Sequence, residues 1–141
     1  EIVLRWSDRV ICLHEGRVLY DGDTMALYDE PPTEQAGQFL GPLNWFTREE
    51  CLALLDLPNV SHHGISVRPE QLELKPIRTD EISSKDSGWE IVATHFCGSN
   101  SQSIVRNRSS GQTRTLIHGS KVAIPVRSLV KVQLFRHDSA R

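Results

Sequence analysis

Long hydrophobic runs are missing from these 141 residues. Stretches such as Val10-Ile11-Cys12-Leu13 and Val122-Ala123-Ile124-Pro125-Val126 fall far short of the roughly 20 apolar residues that a membrane-crossing helix needs. The acidic first residue begins no signal peptide. The chain therefore reads as soluble and globular, with any membrane association supplied by a partner. Cysteine is scarce: Cys12, Cys51 and Cys97 are odd in number, far apart and in no metal-ligand register, which argues against a disulfide framework and a zinc site and for a reducing cytoplasm. Aromatic residues thin out along the chain, and beyond residue 63 only Trp89, Phe96 and Phe135 remain, too few for a base-stacking platform. Positive charge is not in excess either. A net charge of -2 and a pI near 6.3 give no electrostatic case for nucleic acid. The stretch from Arg106 to Arg141, with eight Lys or Arg against Asp138 alone, reads as a solvated face beside an acidic one, with a functional anion surface as the alternative. Finally, no glycine-rich loop ends in Gly-Lys-Ser or Gly-Lys-Thr to wrap phosphates, and no triad or carboxylate pair is evident.

What is present is a change of texture along the chain. Glu1 to Ser7 has the apolar members of a helix tail. Val10-Ile11-Cys12-Leu13 suits a strand covered on both faces, His14-Glu15-Gly16 a turn in which Gly16 takes positive φ, and Arg17-Val18-Leu19-Tyr20 an antiparallel return. Asp23 is placed to cap a short helix over Thr24 to Tyr28, which Pro31 and Pro32 stop. Thr33 caps a second helix running to Leu40, closed by Gly41-Pro42. Thr47-Arg48-Glu49-Glu50 has capping-box spacing and opens a third, with Leu52, Leu54 and Leu55 on one face, ending near Leu57-Pro58. From Gly64 onward come short β-branched runs: Ile65 to Val67, Leu72 to Leu74, Trp89 to Phe96, Ser103 to Asn107, Thr113 to Ile117, Lys121 to Pro125 and Leu129 to Phe135. Such a series of short strands predicts a small closed or nearly closed β barrel, with Ile77 to Gly88 as an exposed loop.

Several residues stand out for their chemistry. Asp8 and Arg9 read as a local ion pair fixing the start of the hairpin, or as a pair facing a further part of a larger domain. Arg68 and Glu70 flank Pro69, so on an extended strand both project one way. They suit a domain-docking device or a solvent-facing edge. Gly98-Ser99-Asn100-Ser101 offers hydroxyls, amides and N–H groups in a turn, the chemistry of an oxyanion or sugar site. His95 and Cys97 share a strand face, too little by themselves for a metal. His62-His63 reads as an exposed pair, and Cys51 as a small core residue.

Read together, these segments resemble the carboxy-terminal third of ABC-importer ATPases of the maltose, iron and spermidine class. Glu1 to Val10 resembles the helix after the switch-histidine loop that leads into Asp-Arg-Val. Leu13-His14-Glu15-Gly16-Arg17-Val18 resembles the family's strand, turn and return strand. Gly22 to Pro31 resembles its Gly-Thr-Pro-x-x-Leu-Tyr-x-x-Pro helix, with Asp23 in place of the capping threonine. Phe39-Leu40-Gly41 followed by Asn44 matches the close of the ATPase domain, although Gln35 replaces an aromatic. Ile65-Ser66-Val67-Arg68-Pro69-Glu70 is similar to the Gly-Val-Arg-Pro-Glu that begins the regulatory barrel, with Ser66 for glycine. Val92 to Val105 resembles a strand and turn of the transport-associated OB (TOBE) domain.

The resemblance implies a mainly β fold with short helices: residues 1–45 as the α/β tail of an ABC ATPase domain, 46–63 as a helical linker or insertion, and 64–141 as an OB-like regulatory barrel. It implies a homodimer formed through the barrel, permease subunits as further partners, and a place on the inner face of the cell membrane without insertion. ATP and Mg would be cofactors of an intact parent. The chain by itself is expected to hold no cofactor or metal and not to be an enzyme, with no catalytic residue assigned. The alternative is a stand-alone OB-fold module for a small oxyanion, sugar or oligonucleotide.

Overall fold

The computed structural model of the chain describes residues 2–55, 60, 63–77, 88–119 and 124–135. Much of the expected loop Ile77 to Gly88, the first half of the expected strand Lys121 to Pro125, Leu57-Pro58 and His62 lie outside the described residues. A short helix, α1 (Ile2–Trp6), leads into an antiparallel hairpin of β1 (Arg9–His14) and β2 (Arg17–Asp23). Both turn residues, Glu15 and Gly16, have positive φ, the geometry whose twist matches that of the flanking strands. Cys12 is buried, but Ile11 and Leu13 are more than half exposed. The apolar run expected to be covered on both faces is therefore covered on one only, since neighbouring residues of a strand point to opposite sides.

Two local caps set the next helices. The Asp23 carboxylate accepts the Ala26 N–H at 2.7 Å to start α2 (Thr24–Asp29), and the Thr33 hydroxyl accepts the Ala36 N–H at 3.2 Å to start α3 (Glu34–Gln38). These helices and the hairpin enclose a small apolar cluster of Cys12, Leu27 and Ala36, flanked by Val10, Leu19, Tyr20 and Leu40.

The second unit is larger. A five-stranded antiparallel sheet runs in the order β5 (Leu72–Pro76), β9 (Leu129–Leu134), β6 (Trp89–Phe96), β7 (Asn100–Asn107), β8 (Thr113–Gly119). It curls until its edge strands β5 and β8 come back into contact. The fold is mainly β with short helices, and this sheet makes an OB-like β domain. Along β9 the alternation of Val130, Val132 and Leu134 points one face inward.

Two features depart from the sequence reading. Ile65–Val67 (β4) does not enter the barrel sheet; it pairs with a short strand, β3 (Asn44–Phe46), that the sequence reading lacks. Within the segment 46–63, read as a helical linker or insertion, Phe46, Cys51 and Leu55 belong to the barrel core. Helix α4 (Arg48–Leu54) carries the expected capping box at Thr47 and Glu50, and Phe46, Cys51 and Leu55 join Ile91, Val105, Leu116 and Val132 in one cluster. Asn44 then protects the open side of β8. Its side-chain amide donates to the Thr115 carbonyl at 2.7 Å and accepts the Thr115 N–H at 2.8 Å, standing in for the ladder partner that an edge strand lacks.

Candidate functional site

The segment leading to the most unusual side chain is set by sequence. Arg68 precedes Pro69, which disfavours the helical region for it, and it lies extended at φ -70° and ψ 149°. Pro69–Gln71 then forms a single tight helical turn. The Gln71 side chain accepts the Arg68 N–H at 2.7 Å and the Gln71 N–H donates to the Arg68 carbonyl at 2.9 Å. This closed loop aims the Arg68 side chain into the protein, where it is 2% exposed.

There the guanidinium meets backbone oxygen. Nε donates to the Tyr28 carbonyl at 3.1 Å, and Nη1 to the carbonyls of Gly37, Gly41 and Pro42 at 3.1 to 3.2 Å. Gly37 lies in α3 and Gly41 and Pro42 in the segment after it; the Gly37 carbonyl also accepts the Leu40 N–H at 3.3 Å. The guanidinium also lies 4.1 Å from the Tyr28 ring centroid, a cation–π arrangement that strengthens when water is excluded. Burial pulls the Arg68 pKa down from its ordinary value, while Tyr28, Glu70 and Asp29 act in the opposite direction. An arginine remains charged at neutral pH even so.

Glu70 sits on the surface side of the same joint. Its carboxylate accepts the Tyr28 hydroxyl. Burial first, and this bond second, push the Tyr28 phenol up to about 12. A group whose pKa is raised by folding contributes stability that is present below its unfolded value, about 10 for tyrosine, and is lost as pH rises through the folded value. Stability should therefore decline between about pH 10 and 12 through this residue. Urea midpoints of the unmodified chain and Tyr28→Phe, measured across that window, should converge as pH rises; parallel curves would show that the phenol is not held as described.

Arg68 and Glu70 thus converge on one residue, Tyr28, but not as two side chains projecting together from a strand. One is buried and the other exposed. The sequence signal for Tyr28 was its place in a short capped helix, and nothing local marks its pairing 40 residues away.

Asp8 and Arg9 do not pair with each other. Consecutive side chains leave extended backbone in opposite directions, and Arg9 instead reaches diagonally across the hairpin to Asp21, with Nε–Oδ1 at 2.8 Å and Nη2–Oδ2 at 3.0 Å. The Arg9 hydrogen bond lowers the Asp21 pKa. Asp8 contributes its backbone carbonyl to the Thr24 N–H at 3.0 Å.

The turn at Gly98-Ser99-Asn100-Ser101 is the exposed tip of the β6–β7 hairpin. Gly98 has φ +84°, and the Cys97 N–H closes the turn on the Asn100 carbonyl at 2.9 Å. Gly98 and Ser99 are exposed, while Ser101 is buried in the sheet opposite His118. His95 and Cys97 are exposed beside them, the thiol directed at the His95 carbonyl.

Two cavities lie elsewhere. One, of about 740 Å³, is lined by Asp29, Glu30, Pro31, Ile65, Leu134 and Phe135 among others. A second, of about 390 Å³, is lined by Leu72, Glu73, His118 and Phe135 among others. The Gly98–Ser101 turn lines neither.

No protein-family model matches the chain. Among curated proteins it is 28% identical over 120 residues to the Fe(3+) ions import ATP-binding protein FbpC of Yersinia pseudotuberculosis, covering 78% of this chain and 34% of that protein. It is 25% identical over 101 residues to the sulfate/thiosulfate import ATP-binding protein CysA of Synechococcus elongatus, covering 66% and 29%. With the spermidine/putrescine import ATP-binding protein PotA of Mycoplasma genitalium it shares 28% identity over 114 residues, covering 65% and 20%. The chain is thus similar, at low identity, to ATP-binding subunits of ABC importers, and it spans about a third or less of the length of the curated relatives it matches. These relatives correct the expectation that the chain stands outside enzymes. They are ATP-binding import proteins, the ATPase class, and the match runs over most of the chain.

Proposed function

We propose that the chain is the carboxy-terminal region of the ATP-binding subunit of an ABC importer. In this reading residues 1–45 complete the nucleotide-binding domain, and residues 64–141 form a regulatory barrel of the transport-associated OB type, with the segment between them joining the two. The observation that carries it is the match to import proteins for three unlike solutes over 65 to 78% of the chain. The open side of the hairpin agrees with it. Ile11, Leu13 and Val18 are each more than half exposed, as is Trp6 in α1, and apolar exposure of that kind suits packing against the rest of a larger domain.

In such a subunit the barrel pairs with its twin, holds two ATPase halves in register during solute uptake, and offers a surface for inhibition. Permease subunits would hold the assembly at the inner face of the membrane; among the described residues no helix is long and apolar enough to cross it. ATP and Mg²⁺ are the cofactors this reading brings. The sequence carries no Gly-Lys-Ser or Gly-Lys-Thr loop of the kind that wraps their phosphates. The relatives' names differ in their solute.

Light scattering over a wide concentration range tests the pairing. The expected result is a mass twice the 15.9 kDa of one chain. A monomer at every concentration would remove the barrel as a clamp.

A further inference from the structure

We infer that Arg68 is an orientation latch, a directional polar joint that fixes how the barrel sits against the hairpin and helices. This deepens the proposed regulatory role by naming the element through which one unit reports its position to the other.

The two apolar clusters share no residue. Cys12, Leu27 and Ala36 form one, and the barrel residues with Phe46, Cys51 and Leu55 form the other. Between them the side-chain bonds concentrate on one spot. Tyr28, Gly37, Gly41 and Pro42 supply carbonyls to Arg68, Tyr28 supplies a ring and a hydroxyl to Arg68 and Glu70, and the Asp29 carbonyl accepts the Ser66 hydroxyl at 3.4 Å. The covalent crossing lies at the same place. Pro42, whose carbonyl Arg68 holds, is two residues from the start of β3.

Beside this joint a cavity of about 740 Å³ is lined by residues of both units, among them Asp29, Glu30 and Pro31 from one and Ile65, Leu134 and Phe135 from the other. Apolar surfaces hold without direction, whereas a guanidinium in a ring of carbonyls and stacked on an aromatic face is held in direction as well as position. Among the described residues Arg68 Nη2 is buried with no hydrogen-bond partner, a cost that the other bonds of the guanidinium offset in this orientation.

The test uses the full chain and reads relative orientation. Backbone amide dipolar couplings, recorded in a dilute aligning medium, should fit one alignment tensor across both units in the unmodified chain. In Arg68→Ala they should require two tensors, while amide shifts around Leu27 and Ala36, and around Ile91 and Val105, stay within their native range. Arg68→Lys keeps the charge but not the planar fork, so it should also split the tensors and guards against Arg68→Ala failing to fold. A single shared tensor in Arg68→Lys, or in a folded Arg68→Ala, would overturn the latch. So would loss of both sets of shifts in both variants, because Arg68 would then belong to one indivisible core. A monomeric chain whose tensors split on substitution would remove the twin pairing and leave the latch standing.

Discussion

Gly64→Val is expected to take away most of the stability of the barrel unit. Gly64 has φ +83°, and a Cβ built there would stand 2.1 Å from the Phe46 carbonyl oxygen, 3.1 Å from the Phe46 carbonyl carbon and 3.2 Å from Thr47 Cα. All three are backbone atoms, so no side chain can swing aside. The β3–β4 pair must open, and with it goes the seat of Phe46, which is fully buried in the barrel core. Left-handed strain of about 1–2 kcal/mol for a residue with a Cβ adds to a loss approaching the 3–5 kcal/mol typical of deleting a buried phenylalanine. Against a total of about 5–15 kcal/mol for a domain, that leaves little. Gly98→Val is the matched control: its φ is +84° but nothing lies within 4 Å of the added Cβ, so the backbone strain remains without the clash. Urea midpoints decide between them. Equal shifts for the two variants would mean that Gly64 does not approach Phe46 as described.

This contact also marks the limit of what the sequence makes legible. The helix caps at Asp23, Thr33 and Thr47 are local chemistry, a side chain answering an N–H three residues on, and each forms where the spacing places it. β9 is likewise readable from the alternation of Val130, Val132 and Leu134. The pairing of β3 with β4 is not, because three residues are too few to show a period and the partner lies some 20 positions away. Arg68 shows the same difficulty at the candidate site. A charged residue beside proline reads equally as an exposed edge or a docking group, and what decides is a set of carbonyls 26 to 40 residues distant. Arg9 found a partner across a hairpin that was itself expected, so its pair was within reach of the register once strand alternation was applied. The exposed Ile11 and Leu13 mislead for another reason. Their composition shows that they belong under cover, but not whether this chain supplies the cover.

Glu50→Ala should destabilise the chain by more than the loss of its helix cap explains. Glu50 serves two partners. Oε2 accepts the Thr47 N–H at 2.8 Å to close the capping box, and Oε1 accepts the Arg114 guanidinium arriving from β8. Both side chains of that ion pair are largely buried, 11% and 13% exposed, and Arg114 lies 4.7 Å from the Phe46 ring centroid. The pair therefore pins α4 over the same aromatic that Gly64 admits. Removing one partner of a buried pair strands the other charge, at a cost of about 3–5 kcal/mol, whereas losing a cap alone costs about 1 kcal/mol. Thr47→Ala isolates the cap, since it removes the hydroxyl that accepts the Glu50 N–H at 3.3 Å and leaves Arg114 paired. The expected order of destabilisation is Glu50→Ala, then Glu50→Gln, which keeps an oxygen acceptor without the charge, then Thr47→Ala. Burial also shields the pair from salt, so the order should persist in 1 M NaCl. Combining Glu50→Ala with Arg114→Met removes both charges together and should recover part of the loss. If the double variant is no more stable than Glu50→Ala, the charges are not coupled, and the helix is held over the barrel by Phe46, Cys51 and Leu55 alone.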